Sequence, residues 1–582
     1  MTPRATRVAG AAVAAGVSGA VTALVARGFY SPGLVLAWAL AVALLVGAAV
    51  GREGLARALA AASARRRELT VGLLLVVLAV VLRQSSLSLK RTQADEFALA
   101  WFTHELDPRT TNVFGPIPPQ HVWNHQMPSL FHVVQKGFFA LAGESPLSVK
   151  ASGLVWVVPA ALAVLLCGLT LFEGVGALAP LALYAVMAPS VYVDTFATNI
   201  GTSLALLAVF LAVALRNARR QTFGSSVAAG VACGLCYLGA PTSYVALPLL
   251  LAFASLSLPH VSFRRAAAGL AASLLGLAVA LAPFVAGAVK NGNYLTERVT
   301  RVAPVIAPAV GVTPEPEEER RSRSDLAAKW AASATYLWKD DVGGCAGFEF
   351  GRIGLFDLLT VSLLGAGLVL GPLLFPGRRT ELVMVALVVV ANLGALGFAN
   401  PPPMVTRHSV LFPSFALLLA VPLVALGNRL PGPRPLRVGA VAALLALVVV
   451  ANGRHLARGL ERDFAPHRED WQDVVMARFL KERFPGQEVK VAAFGGFHLE
   501  YILRFFLPGT PIETDYHAQL LERMDRQRPY VYVILFPEEF GPRFQMADPA
   551  GVLLPEVTRK YAVFVSRGLA GGPAAAPSRP PD

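Results

Sequence analysis

The sequence predicts an α-helical polytopic membrane protein with a small exported α/β domain at its C-terminal end. Of its 582 residues, 55% are hydrophobic and only 15% are charged, whereas soluble domains usually carry about 25% charged residues. A helix needs roughly 20 apolar residues to cross the hydrocarbon core of a bilayer, and the chain contains many such runs. We expect thirteen spans, near residues 8–26, 31–50, 69–87, 152–172, 175–190, 197–215, 224–240, 243–258, 267–287, 354–374, 381–399, 409–427 and 438–452.

Positive charge is concentrated in the segments that would face the cytoplasm. If the N-terminus lies inside, those segments hold 17 Lys and Arg residues against 3 acidic ones, whereas the rest of the chain has 34 of each sign. This is the pattern of cytoplasmic loops; it accounts for the whole net charge of +14, and nucleic acid is not expected as a partner. Thirteen spans place the C-terminus outside, which predicts a multi-pass protein of the bacterial inner membrane with a periplasmic C-terminal domain.

Two of the outer connections are much longer than the others. Residues 88–151 and 288–353 each separate two spans by about sixty residues, and long loops in compact proteins are usually functional. In the first loop, residues 97–106 and 130–142 have the apolar spacing of helices that lie along a membrane surface. The predicted parts of the chain are an N-terminal transmembrane hairpin with a basic cytoplasmic loop (1–68), a transmembrane core (69–452), the exported domain (453–567) and a disordered tail (568–582).

The composition after residue 453 is that of a soluble domain, with 17 basic and 17 acidic residues. Segments with helical spacing alternate there with short apolar segments rich in β-branched and aromatic residues, which predicts a small α/β domain. The predicted helices are 470–484, 498–506 and 519–526, and the predicted strands are 489–494, 530–536 and 561–565.

The charges that could carry chemistry lie at the outer ends of the spans. The span interiors are almost uncharged, whereas ion-coupled transporters place ionisable residues near the middle of the membrane. This pattern favours a reaction at the membrane surface, on a substrate whose tail lies in lipid, over a path for a solute. The outer-end charges are Asp95, Glu96, Asp194, Asp357 and Arg407.

Asp95 and Glu96 are adjacent carboxylates near the start of the first long loop. A carboxylate can act as a general base when it lies within hydrogen-bond reach of an attacking hydroxyl group. The alternative is structural, because acidic residues in the first turn of a helix are stabilised by the helix dipole. The dipeptide alone leaves both interpretations open.

Histidines are frequent in the first long loop. His121 and His125 are four residues apart, a spacing that on a helix would suit a metal ion, although Pro118 and Pro119 disfavour a long helix there. With Asp95 they would suit a divalent ion, and the alternative is that they make hydrogen bonds or contact phosphate. No cofactor is certain from the sequence. A divalent metal ion, held by Asp95, His121 and His125, is one of the two interpretations of these residues.

Several short motifs follow one another between residues 69 and 452. After Asp95-Glu96 come His125-Gln126-Met127-Pro128-Ser129-Leu130-Phe131, Ala188-Pro189-Ser190-Val191-Tyr192-Val193-Asp194, Gly234-Leu235-Cys236-Tyr237-Leu238 with Pro241-Thr242, and Thr406-Arg407-His408 with Leu411-Phe412-Pro413. This order resembles the GT-C glycosyltransferases, specifically the bacterial relatives of the dolichyl-phosphate-mannose protein mannosyltransferases and the lipid A aminoarabinose transferases. The ordered set is far more specific than any single motif.

The resemblance implies an inverting transfer of a sugar from a polyprenyl-phosphate donor to an acceptor hydroxyl group on the outer face of the membrane. The acceptor would be a lipid, a glycan or a protein, and membrane lipid would surround the site. Asp95, with Glu96 beside it, falls where the family has its acidic base. Asp194 matches a second acidic position near the site, and Arg407 matches a basic residue that would face the donor phosphate.

His125 and His408 lie in the same set of motifs and are assigned, through the resemblance, to binding of the donor phosphate or substrate. Two positions depart from the family pattern: Met127 stands where a basic residue is common, and Phe97 where Tyr or Arg is frequent. Two alternative functions therefore stay open, a flippase or transporter for a lipid-linked sugar and a non-catalytic protein of envelope-glycan assembly.

Overall fold

The computed structural model contains two compact units. The first is formed by Met1–Lys90 and Leu106–Arg462, and the second by Arg91–Glu105 and Asp463–Asp582. The start of the first long loop therefore belongs to the same unit as the C-terminal domain. The structure describes residues 3–87, 94–107, 109–115, 128–218, 220–291, 326–342, 353–398, 405–431, 433–464, 469–493, 498–554, 557–558 and 560–570.

Helices account for most of both units. Numbered along the chain, they are α1 (Pro3–Ala26), α2 (Pro32–Ala64), α3 (Arg66–Ser85), α4 (Ala94–Glu105), α5 (Leu130–Ala142), α6 (Pro146–Ser152), α7 (Leu154–Leu171), α8 (Ala179–Val186), α9 (Ala188–Val193), α10 (Asn199–Asn217), α11 (Phe223–Cys236), α12 (Ala246–Leu256), α13 (Phe263–Asn291), α14 (Leu326–Thr335), α15 (Leu358–Leu374), α16 (Arg379–Gly397), α17 (Val405–His408), α18 (Phe412–Arg429), α19 (Arg434–Phe464), α20 (Glu469–Arg483), α21 (His498–Phe506), α22 (His517–Glu522), α23 (Pro537–Ala547) and α24 (Arg567–Ala570).

Each of the thirteen predicted spans coincides with an apolar helix. Within the described ranges, ten helical segments are long and apolar enough to cross a membrane. Three shorter apolar helical segments, Gly174–Val186, Phe223–Cys236 and Leu358–Leu374, occupy the other three predicted positions. A fourth, Leu130–Ala142, is the helix predicted in the first long loop. The prediction of a multi-pass helical membrane protein is confirmed.

The predicted basic loop after the second span is helical. Gly51 has φ +65° and ψ 172°, a conformation that only glycine adopts readily, and the helix resumes beyond it as far as Ala64. Arg7 on α1 forms an ion pair with Glu53 at 3.4 Å. The N-terminus and this basic segment therefore lie at the same end of the first unit, as the positive-inside pattern requires.

The core of the first unit is built around α10 and α18. The span that contains α10 is 72% buried and the span that contains α18 is 83% buried. The span Pro435–Arg462, on the periphery, is only 11% buried. Glycines allow close contact between helices: a Cβ atom at Gly230 on α11 would overlap the carbonyl oxygen of Ser273 on α13. Small residues at helix contacts are typical of membrane proteins, where packing and not water exclusion drives association.

The second unit contains a five-stranded sheet in the order β2-β1-β3-β5-β4. β1 pairs in parallel with β2 and β3, whereas β5 pairs antiparallel with β3 and β4. Every residue of β3 and β5 is buried, so these two strands form the centre of the domain. The strands are β1 (Val489–Ala492), β2 (Ile512–Asp515), β3 (Val531–Leu535), β4 (Val552–Leu554) and β5 (Tyr561–Val565).

Most of the predicted elements of this domain are present. The strands predicted at 489–494, 530–536 and 561–565 are β1, β3 and β5, and the helix predicted at 498–506 is α21. The helix predicted at 519–526 is shorter and begins earlier, as α22. β2, β4 and α23 were not predicted.

Candidate active site

The two candidate carboxylates lie in the first turn of α4. Both are placed where the positive end of the helix dipole stabilises negative charge, so the structural interpretation applies to each of them. Their exposure differs: the side chain of Asp95 is partly exposed, whereas Glu96 is only 1% exposed. Of the two carboxylates, Asp95 is therefore the one that a molecule in solvent can reach.

Asp194, which follows α9, lies in a buried network with Arg83 from α3. The Nε and Nη2 atoms of Arg83 lie 3.1 and 2.9 Å from Oδ2 of Asp194, and the two side chains are 0% and 1% exposed. The hydroxyl groups of Tyr184 and Ser190 also donate to this oxygen, at 2.7 and 2.5 Å. Asp194 thus joins α3 to the two short helices α8 and α9.

The other carboxylate oxygen of Asp194 differs from the first. Oδ1 is buried and has no hydrogen-bond partner among the described residues. Leaving a buried acceptor unpaired costs about 1–3 kcal/mol, so this atom is suited to accept a hydrogen bond from a water molecule or a ligand hydroxyl group. The network therefore holds α3 and α9 together through Oδ2 and leaves Oδ1 available.

Arg83 is the member of this network that was not predicted. It lies inside the predicted span 69–87, where the sequence analysis took the interior to be almost uncharged. A charged residue within a span is rare and usually has a defined partner, and that signal could have singled it out. Its partner could not be identified from the sequence, because Asp194 is 111 residues further along the chain.

Arg407 and His408 lie on the short helix α17, which leads through the 3₁₀ helix Ser409–Leu411 into α18. Arg407 is partly exposed, whereas His408 is fully buried. The Nε2–H of His408 donates to the carbonyl oxygen of Ser333 at 3.0 Å, and its ring packs edge-on against Tyr336 with centroids 5.3 Å apart. These contacts favour a structural role for His408 in holding the turn, in addition to the substrate contact that the sequence predicts.

The first unit brings the predicted residues of the outer turns onto neighbouring elements. α9, which ends directly before Asp194, packs against α3, α17 and the 3₁₀ helix after α17. Asp194, Arg407 and His408 therefore lie within one part of the first unit. Asp95 and Glu96 belong to the second unit.

Asp357, another outer-end charge, caps α15. Its carboxylate accepts from the backbone N–H of Thr360 at 3.0 Å and from the Thr360 hydroxyl group at 2.7 Å. Asn452 on α19 then connects this helix start to α9, because its amide donates to Thr360 at 3.1 Å and accepts from the N–H of Ala188 at 3.1 Å. This is helix capping, and it favours a structural role for Asp357.

His121 and His125 lie outside the described residues, so both the metal interpretation and the phosphate interpretation stay predictions. In the part of the chain that the structure describes, no group of three His, Cys, Asp or Glu side chains is arranged to hold a metal ion. Of the other histidines in the loop, His104 stacks on Trp101 at 5.4 Å within α4, and His132 is fully buried on α5.

No protein-family model matches the sequence, and no curated protein is significantly similar to it. Solved structures do match. ArnT from Cupriavidus metallidurans in the apo state superposes with a TM-score of 0.56 at 14% identity, over 86% of this chain and 98% of ArnT. Most of the chain therefore follows a known membrane architecture. The chain has the GT-C fold.

Two further structures agree with this assignment. ArnT from the same organism bound to undecaprenyl phosphate superposes with a TM-score of 0.53 at 13% identity, over 85% of this chain and 97% of ArnT. The oligosaccharyltransferase of Archaeoglobus fulgidus in the apo form superposes with a TM-score of 0.51 at 12% identity, over 84% of this chain and 73% of its own. At such identities the likeness is one of fold.

Proposed function

We propose that the protein is an inverting glycosyltransferase that moves a sugar from a polyprenyl-phosphate donor to an acceptor hydroxyl group on the outer face of the bacterial inner membrane. The observation that carries the proposal is the GT-C fold together with the partly exposed carboxylate of Asp95 at the start of α4. The binding of undecaprenyl phosphate by ArnT, which has the same fold, supports a lipid-phosphate donor.

One carboxylate is enough for this chemistry. Asp95 takes the proton of the acceptor hydroxyl group as its oxygen attacks the anomeric carbon, and the bond from that carbon to the phosphate oxygen breaks. The polyprenyl phosphate leaves as a stable anion, so no acid has to protonate it. A glycosidase, by contrast, needs a second carboxyl group for that step. A single displacement inverts the configuration at the anomeric carbon.

The remaining residues divide into those that touch substrate and those that support the site. Arg407 is partly exposed and cationic, and we assign it to the donor phosphate, where a positive charge stabilises the leaving group. Oδ1 of Asp194 is assigned to a hydroxyl group of the donor or to a bound water. His125 is assigned to the donor phosphate with Arg407. His408 and Glu96 are buried, which favours a supporting role.

The proposal is tested in two steps. Mass spectrometry of envelope glycans from cells with and without the protein identifies the sugar and the acceptor together. The purified protein in lipid vesicles is then given the matching polyprenyl-phosphate sugar and acceptor, and formation of the glycosidic bond is measured with release of the polyprenyl phosphate. We expect one new glycosidic bond, of inverted configuration, for each polyprenyl phosphate released.

The same vesicles separate the alternatives. Movement of the lipid-linked sugar across the bilayer without a new glycosidic bond would identify a flippase and overturn the proposal. Absence of both reactions, with no binding of the donor by the purified protein, would favour a non-catalytic role in glycan assembly. The proposed acceptors are a lipid, a glycan or a protein, and the glycan analysis decides among them.

A further inference from the structure

α4 is too short to be stable alone. It has 12 residues, and isolated helices shorter than about 12–15 residues are marginal in water even with favourable sequences. Its stability must therefore come from burial of its apolar side chains, among them Phe97 and Phe102, which are 1% and 7% exposed. The contacts of these two rings therefore help to hold Asp95, at the start of the same helix, in place.

The rings are contacted by α21 of the C-terminal domain. The centroid of Phe97 lies 5.3 Å from that of Phe505 and 5.5 Å from that of Phe506. The centroid of Phe102 lies 5.3 Å from that of Tyr501. Aromatic rings at these distances attract one another beyond the effect of burial alone. We call the three α21 residues, Tyr501, Phe505 and Phe506, the aromatic clamp.

The aromatic clamp is itself fixed to the sheet. Arg504, between its members on α21, binds the carboxylate of Glu500 through Nε and Nη2 at 3.0 and 2.8 Å. The same Nη2 donates to the backbone carbonyl oxygen of Ile512 on β2 at 3.1 Å. The connection runs without interruption from the sheet through β2 and α21 to α4, all within one compact unit.

We propose that the C-terminal domain is part of the catalytic apparatus, because its aromatic clamp positions α4 and hence the general base Asp95. The inference rests on the proposed function of Asp95 and extends it to a set of positioning residues about 400 positions further along the chain. General-base catalysis depends on placement: a displacement of about 1 Å at a reacting group can lower the rate up to about 100-fold.

The test compares two alanine substitutions in the full-length protein. Phe505→Ala removes a clamp ring. Phe479→Ala removes another partly buried ring of the same domain, whose described ring contacts are to Phe484 and Arg483. We expect Phe505→Ala to lower kcat by up to about 100-fold with an unchanged KM for the donor. Phe505→Leu, which refills the space, should restore part of the rate, and Phe479→Ala should keep the rate of the unsubstituted protein.

Hydrogen–deuterium exchange provides the structural readout. In Phe505→Ala, the backbone amides of residues 94–105 should exchange faster while those of β3 keep their protection. Unchanged exchange in α4 with an unchanged kcat would overturn the proposal, and so would equal losses in Phe505→Ala and Phe479→Ala, which would indicate general instability of the domain. Failure of the proposed function gives a different result, because the unsubstituted protein would then form no glycosidic bond, whereas failure of this inference leaves that activity in place in both the unsubstituted protein and Phe505→Ala.

Discussion

The buried pair of Arg83 and Asp194 yields the sharpest prediction about stability. Arg83→Leu removes a guanidinium group that makes two hydrogen bonds to Asp194 and further bonds to the carbonyl oxygens of Ala79, Tyr184 and Ala185. The substitution leaves the carboxylate of Asp194 buried without its counter-charge. Breaking a buried ion pair by removing one partner costs about 3–5 kcal/mol, because the remaining charge is uncompensated.

The assay is unfolding by SDS in mixed micelles, which reports the free energy of unfolding of helical membrane proteins. We expect Arg83→Leu and Asp194→Leu each to lower this free energy by about 3–5 kcal/mol. The double substitution should cost less than the sum of the two, with a coupling of about 1–3 kcal/mol, because it removes both charges together. Additive losses would refute the claim that the two side chains stabilise each other.

The matched control is the exposed ion pair of Arg7 and Glu53. Its atoms are 3.4 Å apart, and its side chains are 33% and 69% exposed. An exposed pair contributes only about 0–1 kcal/mol, so Arg7→Leu should lower the free energy of unfolding far less than Arg83→Leu. Equal losses in the two variants would contradict the importance given to burial.

Two further predictions concern packing and pH. Gly230→Ala should lower the free energy of unfolding in the same SDS titration, because its Cβ atom would overlap the carbonyl oxygen of Ser273. Gly439→Ala has open space around it and should not lower this free energy, since alanine favours a helix more than glycine does. Equal losses in the two variants would contradict the close contact at Gly230. His517 is buried against Phe540 and bonded to the carbonyl oxygen of Leu535, and burial lowers its pKa. The unfolded chain then binds a proton more readily, so the C-terminal domain should lose stability as the pH falls below about 6.5. Hydrogen exchange of the β3 amides, corrected for intrinsic rates, should become faster as the pH falls and so report this loss of stability. The change should be absent in His517→Asn. An identical pH response in the two proteins would contradict the prediction.

The apolar helices could be predicted because the bilayer restricts the chain so strongly. A segment in hydrocarbon must satisfy its own backbone hydrogen bonds and present apolar side chains, so the ten helical segments long enough to span a membrane and the three shorter ones at predicted positions were all visible as apolar runs. The same periodicity predicted α5 at 130–142, the bounds that the structure has. The helical part of the segment after Gly51 was missed because its charges are those of a cytoplasmic loop.

The C-terminal domain was predictable at its centre and not at its edges. β1, β3 and β5 are almost wholly buried and appear as apolar segments rich in β-branched and aromatic residues. β2 contains a single apolar residue, Ile512, and β4 has only three residues, as is usual for edge strands. α23 contains Pro542 in its interior, which argues against a helix in the sequence.

The candidate site was only partly predictable, because its supporting contacts join distant parts of the chain. The positions of Asp95, Asp194 and Arg407 followed from motif order. The partner of Asp194 and the aromatic clamp on α4 did not, since nothing in the local sequence of Arg83 or Phe505 indicates which residue it contacts.

The measurement that tests the account most directly is the transfer rate of Asp95→Asn, with Asp107→Asn as the control. Asp107 lies beyond α4 in the same loop, is exposed, and undergoes the same chemical change. A general base contributes about 10²- to 10⁴-fold to a rate, so Asp95→Asn should lose at least about 100-fold in kcat while donor binding and hydrogen exchange of α4 stay unchanged. Asp107→Asn should keep the rate of the unsubstituted protein. A rate for Asp95→Asn equal to that of the unsubstituted protein would contradict the assignment of Asp95 as the base.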